Sequence, residues 1–209
     1  MNYKKSLKVV GIVAVAVFVC IGCSEDDDTG GGGGYTGSYG SVTHGGKTYK
    51  TVKIGSQTWF AENLDYAFGG SVCYKNSSSN CTMYGRLYTW GDANSACPSG
   101  WHLPSDAEWT QLTDFVGGAA TVGKKLKSTS GWNDNGNGTN QYGFSALPGG
   151  DGNSLVGFFY DAGDHGYWWS ATEDGVQYAW YRHMSYGSEY VDRYSDEKTF
   201  LNSVRCVKN

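Results

Sequence analysis

The sequence has little of what most enzymes and nucleic-acid-binding proteins carry. It holds no Gly-x-Ser-x-Gly elbow, no His-Glu-x-x-His and no P-loop, so the common hydrolytic and phosphoryl-transfer chemistries have no local signature. Its four domain cysteines, Cys73, Cys81, Cys97 and Cys206, form no Cys-x-x-Cys and no two histidines are closely spaced, which leaves a structural zinc in the domain without ligands. No internal repeat is visible. Positive charge is short: 16 Lys and Arg against 20 Asp and Glu give −4. If Lys4, Lys5 and Lys8 leave with a leader, the remainder sits near −7 (−4 minus 3), which argues against nucleic acid as a partner. The longest apolar run, Val9–Gly22, has fourteen residues, short for a bilayer span.

That run reads instead as the apolar region of a signal peptide, 1–22, behind its three lysines. Gly22-Cys23 resembles a bacterial lipobox, with Cys23 as the lipidated first mature residue; the alternative is ordinary secretory cleavage. An acidic run, Ser24–Asp28, and five glycines, Gly30–Gly34, make residues 23–41 a tether, since such backbone cannot order without partners. The expected location is the outer membrane, exposed at the cell surface, with membrane contact through an acyl anchor only.

What is abundant is glycine and aromatic side chain. The 32 glycines are about twice the usual share of roughly 7%, and aromatics reach 15%. Turns, short strands and few helices follow. Val42–Phe60 reads as short strands, with Val52, Ile54, Trp59 and Phe60 as core and Gly45-Gly46 and Gly55-Ser56 as turns. Met83–Ala96 reads as a helix. A second helix starts at Ser105, where Glu108 three residues on completes a capping box. Trp109, Leu112 and Val116 follow at helical spacing, and Gly117-Gly118 ends it. Residues 121–127 add a short turn. Gly143–Leu147, Leu155–Tyr160, Tyr167–Ala171, Tyr178–Tyr186 and Asn202–Val207 read as strands. Two early helices before a run of strands argue an α+β class.

The stretch Cys97–Trp109, "CPSGWHLPSDAEW", occurs together with "TVKIGSQTWFAENLD", "YWWSATE" and "SVRCVKN" in that order. These blocks resemble the Fibrobacter succinogenes major paralogous domain over 42–209, a family that in turn resembles C-type-lectin-like domains and formylglycine-generating enzymes. The resemblance implies a disulfide-stapled lectin-like fold with two helices on short twisted antiparallel sheets. Four domain cysteines allow three pairings; the local pair Cys73–Cys81 is the simplest and leaves Cys97–Cys206. The lectin-like resemblance points the same way, and it leaves no reactive cysteine pair for formylglycine-type chemistry. Calcium is a weak prospect. Trp132-Asn133-Asp134 spells a lectin triplet in the wrong place, and Asn133, Asn135, Asn137 and Gly138 begin an EF-hand-like run that no acidic ligand closes. No metal and no cofactor is expected. His102, between Trp101 and Leu103, is expected to be structural.

Function is expected between Asp174 and Asn202. Tyr178, Trp180, Tyr181, His183, Ser185, Tyr190, Asp192, Tyr194 and Asp196 have the Tyr, Ser and Asp composition of adaptable contact surfaces. If Arg182, Met184 and Tyr186 share one strand face, Tyr181, His183 and Ser185 share the other. Some domains of the resembled family look like targets of diversity-generating retroelements, which rewrite adenines in a template rich in AAC codons. Positions 181, 183, 185, 187, 188, 190, 192, 194, 195 and 196 all carry residues reachable from AAC by adenine changes alone. The expectation is a non-catalytic surface lipoprotein that binds an extracellular glycan or protein through this face, which is either hypervariable or a generic contact surface. The alternatives are a glycan-active or formylglycine-generating-like enzyme, using Asp161, Asp164 and His165 beside Trp168, and a structural subunit of a surface adhesin assembly. A neighbouring reverse transcriptase gene, with a near-copy of codons 167–206 carrying asparagine codons at those ten positions, is the expected genomic signature; sequencing the flanks checks it, and a near-copy without them removes the diversification reading.

Overall fold

The computed structural model describes residues 34–118 and 120–209. The expected signal peptide, 1–22, Cys23 and the first part of the expected tether lie outside the described residues.

Among the described residues the elements are α1 (Ser78–Tyr84), α2 (Trp90–Ala96), α3 (Asp106–Val116) and α4 (Val122–Leu126) with three sheets, whose strands pair antiparallel. The first sheet runs β1 (Gly40–His44), β2 (Lys47–Ile54), β3 (Gln57–Phe60), β11 (Val207–Lys208) and β4 (Trp101–His102), so both ends of the domain meet in it. The second is β10 (Phe200–Leu201), β5 (Asp151–Asn153) and β6 (Phe158–Tyr160). The third is β7 (His165–Glu173), β8 (Tyr178–Ser185) and β9 (Asp192–Glu197). This is a mixed α/β domain, mostly antiparallel, with few helices.

Local chemistry explains the parts that sequence foresaw. Gly45 and Gly46 both take positive φ, +57° and +80°, as a two-residue hairpin of the mirror-image type requires. Val52, Ile54, Trp59 and Phe60 are all buried. The Ser105–Glu108 capping box forms in full, and Gly117 closes α3 in the left-handed conformation. His102 is held at both ring nitrogens, 2.7 Å from Asn209 Oδ1 and 2.8 Å from Glu108 Oε1, so it clamps the last residue to α3. Both bridges, Cys73–Cys81 and Cys97–Cys206, are present. The second spans 109 residues, a closure worth roughly 4.7 kcal/mol in the chain-entropy account. Tyr35 and Tyr39, assigned to the tether, already pack on the main core.

Several expected elements differ. The helix over Met83–Ala96 is two helices: Gly85 lies at φ 78°, ψ −170°, and the chain then runs extended. Leu87 bonds to Val72, and Tyr88 exchanges backbone hydrogen bonds of 2.9 and 3.0 Å with Asn202. Burying Leu87 and Tyr88 against distant strands outweighs their helical spacing. Gly143–Leu147 is not a strand; Ser145 sits at φ +53°, and only Ala146 makes a bridge, to Lys127. In Leu155–Tyr160 only the last three residues pair, because Leu155 and Val156 form the exposed tip of a hairpin whose other arm is β5. Of Asn202–Val207, only Val207 joins a strand; the preceding residues are buried but irregular.

The irregular segment is fixed by side chains. Arg205 is fully buried, and among the described residues no carboxylate pairs with it. Its guanidinium donates instead to the carbonyls of Phe60 (3.1 Å), Phe144 and Ser145 (2.7 Å) and to Asn63 Oδ1 (2.7 Å), and it lies 4.5 Å from the Phe144 ring centroid. Asn63 Oδ1 also accepts from Trp168 Nε1 at 2.9 Å, while its amide donates to Tyr84 O and Ser203 Oγ. Burial lowers the Arg205 pKa to about 9. Arg205→Met is expected to strand three carbonyls and cost about 3–5 kcal/mol in urea unfolding; a loss under about 1 kcal/mol would show that those carbonyls find other donors.

Candidate functional site

The third sheet has a locked side and an open side. Strand alternation puts Trp168, Arg182 and Met184 against the core, all buried. Asp106, the first residue of α3, accepts from Arg182 Nη1 at its carboxylate and from Arg182 Nη2 at its backbone carbonyl, and its carboxylate accepts from Arg193 Nε at 2.9 and 3.0 Å. Burial would raise the Asp106 pKa; the two guanidiniums outweigh it and hold the carboxyl below its ordinary value. A helix N-terminus also favours that negative charge. Arg193 then lies 3.3 Å over the Trp180 ring. Two strands are thereby pinned to one helix end.

The opposite side carries His165 and Tyr167 from β7, Tyr181, His183 and Ser185 from β8, and Asp192, Tyr194 and Asp196 from β9; Trp169 and Ala179 face the same way but are fully buried, so one end of this side is closed and Tyr181 packs against it. Tyr167, Tyr181, His183 and Ser185 are half-buried, and Tyr194 is 51% exposed. The rings form a continuous platform: Tyr167–His183 at 5.0 Å, Tyr167–Tyr181 at 5.8 Å, His183–Tyr194 at 6.1 Å and Tyr181–Tyr194 at 6.2 Å between centroids. His165 Nδ1 meets His183 Nε2 at 2.8 Å, and His183 Nδ1 meets Asp192 Oδ2 at 3.3 Å. Asp192 can only accept, so in the neutral tautomer that fits both contacts His183 Nδ1–H donates to Asp192 and Nε2 accepts from His165 Nδ1–H. Burial lowers the His183 pKa against the pull of Asp192.

A family model, the Fibrobacter succinogenes major domain, matches residues 52–208 of the 209. The chain belongs to that family. No curated protein and no solved structure gives a significant match. The matched span of this Fibrobacter succinogenes major domain contains both sides of the third sheet, the Asn63–Arg205 contact and all four bridged cysteines.

The nine expected contact residues do not lie together. Tyr181, His183, Ser185, Asp192, Tyr194 and Asp196 share the open side. Tyr178 and Trp180 alternate onto the side that holds Arg182, so they are separated from the rest; Trp180 is covered by Arg193. Tyr190 stands in the β8–β9 loop, 53% exposed. Of the ten adenine-reachable positions, six share the open side, Gly187, Ser188 and Tyr190 are in the loop, and Ser195 pairs with Trp180 on the other side. The interleaved Arg182, Met184 and Val191 are buried, and Arg193 is engaged by Asp106. The Asp161, Asp164, His165 and Trp168 set does not converge: Trp168 points into the core, and Asp164 accepts from Asn133. Asn133–Asn137 is a turn, with Asp134 and Asn135 at positive φ and Asn137 capping Trp132.

The sequence reading missed Asp151 and Tyr167. A parallel bridge between Gly150 and Gly166 sets β5 beside β7, so the residues that follow, Asp151 and Tyr167, stand side by side on the open side. Asp151 is 9% exposed, and among the described residues no donor reaches its Oδ1. Burial, then Asp161 and Asp196, raise its pKa to about 7. Tyr167 donates to Asp161 Oδ2 at 3.1 Å, and burial, followed by Asp151, pushes its own pKa up. Burial pushes Tyr181 to about 12, with Asp196 the next cause. For a carboxyl whose folded pKa is raised, the folded state holds more protons, so stability falls as pH rises from about 4 to about 7 and levels off above. Asp151→Asn is expected to match the parent near pH 4 and exceed it in melting temperature at pH 8; equal melting temperatures at pH 8 would place the Asp151 carboxyl in water.

Proposed function

We propose that this chain is a surface-exposed lipoprotein whose domain binds an extracellular ligand on the open side of the third sheet, without catalysis. The observation that carries this is the contrast between the two sides: one pinned by Asp106, Arg182 and Arg193, the other a ring platform bordered by carboxylates. Tyrosine and histidine rings present large area at small entropy cost, to a sugar face or a protein loop alike. The finer assignment, a C-type-lectin-like fold, is supported by the first and last strands sharing one sheet and by a bridge from the segment before α3 to the residue before β11. Lipidation at Cys23 and retroelement diversification belong to the same proposal. Six adenine-reachable positions on one side, with engaged residues between them, are what diversification without unfolding needs.

Two observations favour an enzymatic second reading. Asp151 has a pKa suited to proton transfer, and His165, His183 and Asp192 form a hydrogen-bonded chain. The structural-subunit reading is weaker, because β9 ends its sheet with Asp192, Arg193, Asp196 and Glu197, charges that discourage strand addition. A glycan array and a pull-down decide between them. Tyr181→Ala and Tyr194→Ala are each expected to weaken capture about 30-fold, whereas Tyr178→Ala changes it less than about twofold. Equal losses from all three would move the contact surface elsewhere, and array glycans cleaved by the parent but not by Asp151→Asn would establish catalysis.

A further inference from the structure

The open side carries negative charge without a counter-ion. Asp151, Asp161 and Asp196 pair with no Lys or Arg among the described residues, and Asp192 meets only His183. The neighbouring side chains on this side are Tyr167, Tyr181, His165 and His183, and both arginines of the sheet are turned away to Asp106. The nearby charges belong to carboxylates, which hinder one another's ionisation rather than relieve it.

A second observation is independent of that clustering. Asp151 is nine-tenths buried, and among the described residues no donor meets its Oδ1, in an interior where most such atoms are satisfied. The Gly150–Gly166 bridge places this carboxylate beside the Tyr167 ring, whose hydroxyl is already committed to Asp161. A group that completes the site must donate a hydrogen bond, carry positive charge and tolerate aromatic walls. Among the described residues no three His, Cys, Asp or Glu side chains converge as metal ligands, which favours an organic cation. Cations of this kind are attracted by ring faces as well as by carboxylates.

We infer that Asp151, walled by Tyr167 and Tyr181 and rimmed by Asp161 and Asp196, is a seat for a protonated primary amine on the ligand. This rests on the binding role proposed above and specifies it. The amine reaches such a surface on a lysine side chain or on a de-N-acetylated amino sugar.

The test is a nuclear magnetic resonance titration of the full chain at pH 8 with n-butylammonium, Nα-acetyl-lysine methylamide and glucosamine, against N-acetylglucosamine and butanol. The three ammonium probes are expected to shift the Tyr167 and Tyr181 ring signals, and the neutral probes to leave them unmoved. Asp151→Asn is expected to weaken the ammonium probes at least tenfold, as loss of a charge-assisted hydrogen bond does, while Asp192→Asn weakens them less than threefold. Tighter binding of the lysine amide points to a protein ligand, and tighter binding of glucosamine to a polysaccharide; either supports the seat. Equal weakening by the two aspartate variants would reduce the effect to diffuse attraction and overturn the inference. So would unchanged binding to Asp151→Asn; if Tyr181→Ala still abolishes ligand capture in that case, the ring platform stands and only the amine seat falls.

Discussion

A guanidinium deep in the protein, with no carboxylate partner among the described residues, is the constraint on which the rest of this domain depends. Desolvating Arg205 is expensive, and the expense is offset only if every donor finds an acceptor in good geometry. The acceptors come from β3, from the loop after Gly143 and from Asn63. Asn63 in turn receives Trp168 and holds Tyr84 and Ser203. None of these segments can shift without stranding a polar group in a low-dielectric interior. The irregular backbone around 143–147 and 202–206, which no ladder could hold, is held this way. The adjacent Cys206 bridge to Cys97 then ties the same point to the approach of α3.

From that point the order runs outward to the third sheet. Trp168 is fixed by Asn63, and the next residue, Trp169, accepts Trp109 Nε1 at its carbonyl and donates to Tyr88 O. β7 is thus anchored at consecutive residues to Asn63, to α3 and to the extended segment at Tyr88, and the Trp169 N–H donates to Ser203 O in the irregular C-terminal stretch. β8 and β9 add to it, and their reverse side is clamped by one carboxylate, Asp106, that two arginines share. Apart from Trp169 and Ala179, which are buried, the open side contributes little to this chain of constraints. That is why it can carry unpaired aspartates and exposed tyrosines, groups that would be costly inside.

The capped helix, the first hairpins and both disulfides were legible because each is written in a few adjacent residues or in a quoted block. Ser105 with Glu108, Gly45-Gly46 and the spacing of Trp109, Leu112 and Val116 need no distant partner to be understood. The errors share a cause: the deciding partner was far away in sequence. Leu87 and Tyr88 have helical spacing but are claimed by Val72 and Asn202. Arg205 and Ser203 read as part of a strand but satisfy side chains sixty and more residues distant. The site followed the same rule. Alternation placed Tyr181, His183 and Ser185 correctly together, whereas Tyr178 and Trp180 were grouped with them by composition and fall on the other side. His165 meets His183, and Asp151 meets Tyr167, only through strand pairings that nothing local announces.

The two-residue repeat of β8 has an evolutionary corollary. Substitution at its outward positions changes the recognition surface and leaves the clamp alone, so codon replacement there is cheap. Insertion or deletion of one codon between 178 and 185 is a different event. It would rotate Arg182 and Met184 into solvent and drive Tyr181 and His183 at the helix end, inverting scaffold and display at once. A lineage exploring new ligands with this domain is therefore confined to exchanging letters at fixed length, and diversity in strand length should be confined to the loop around Gly187.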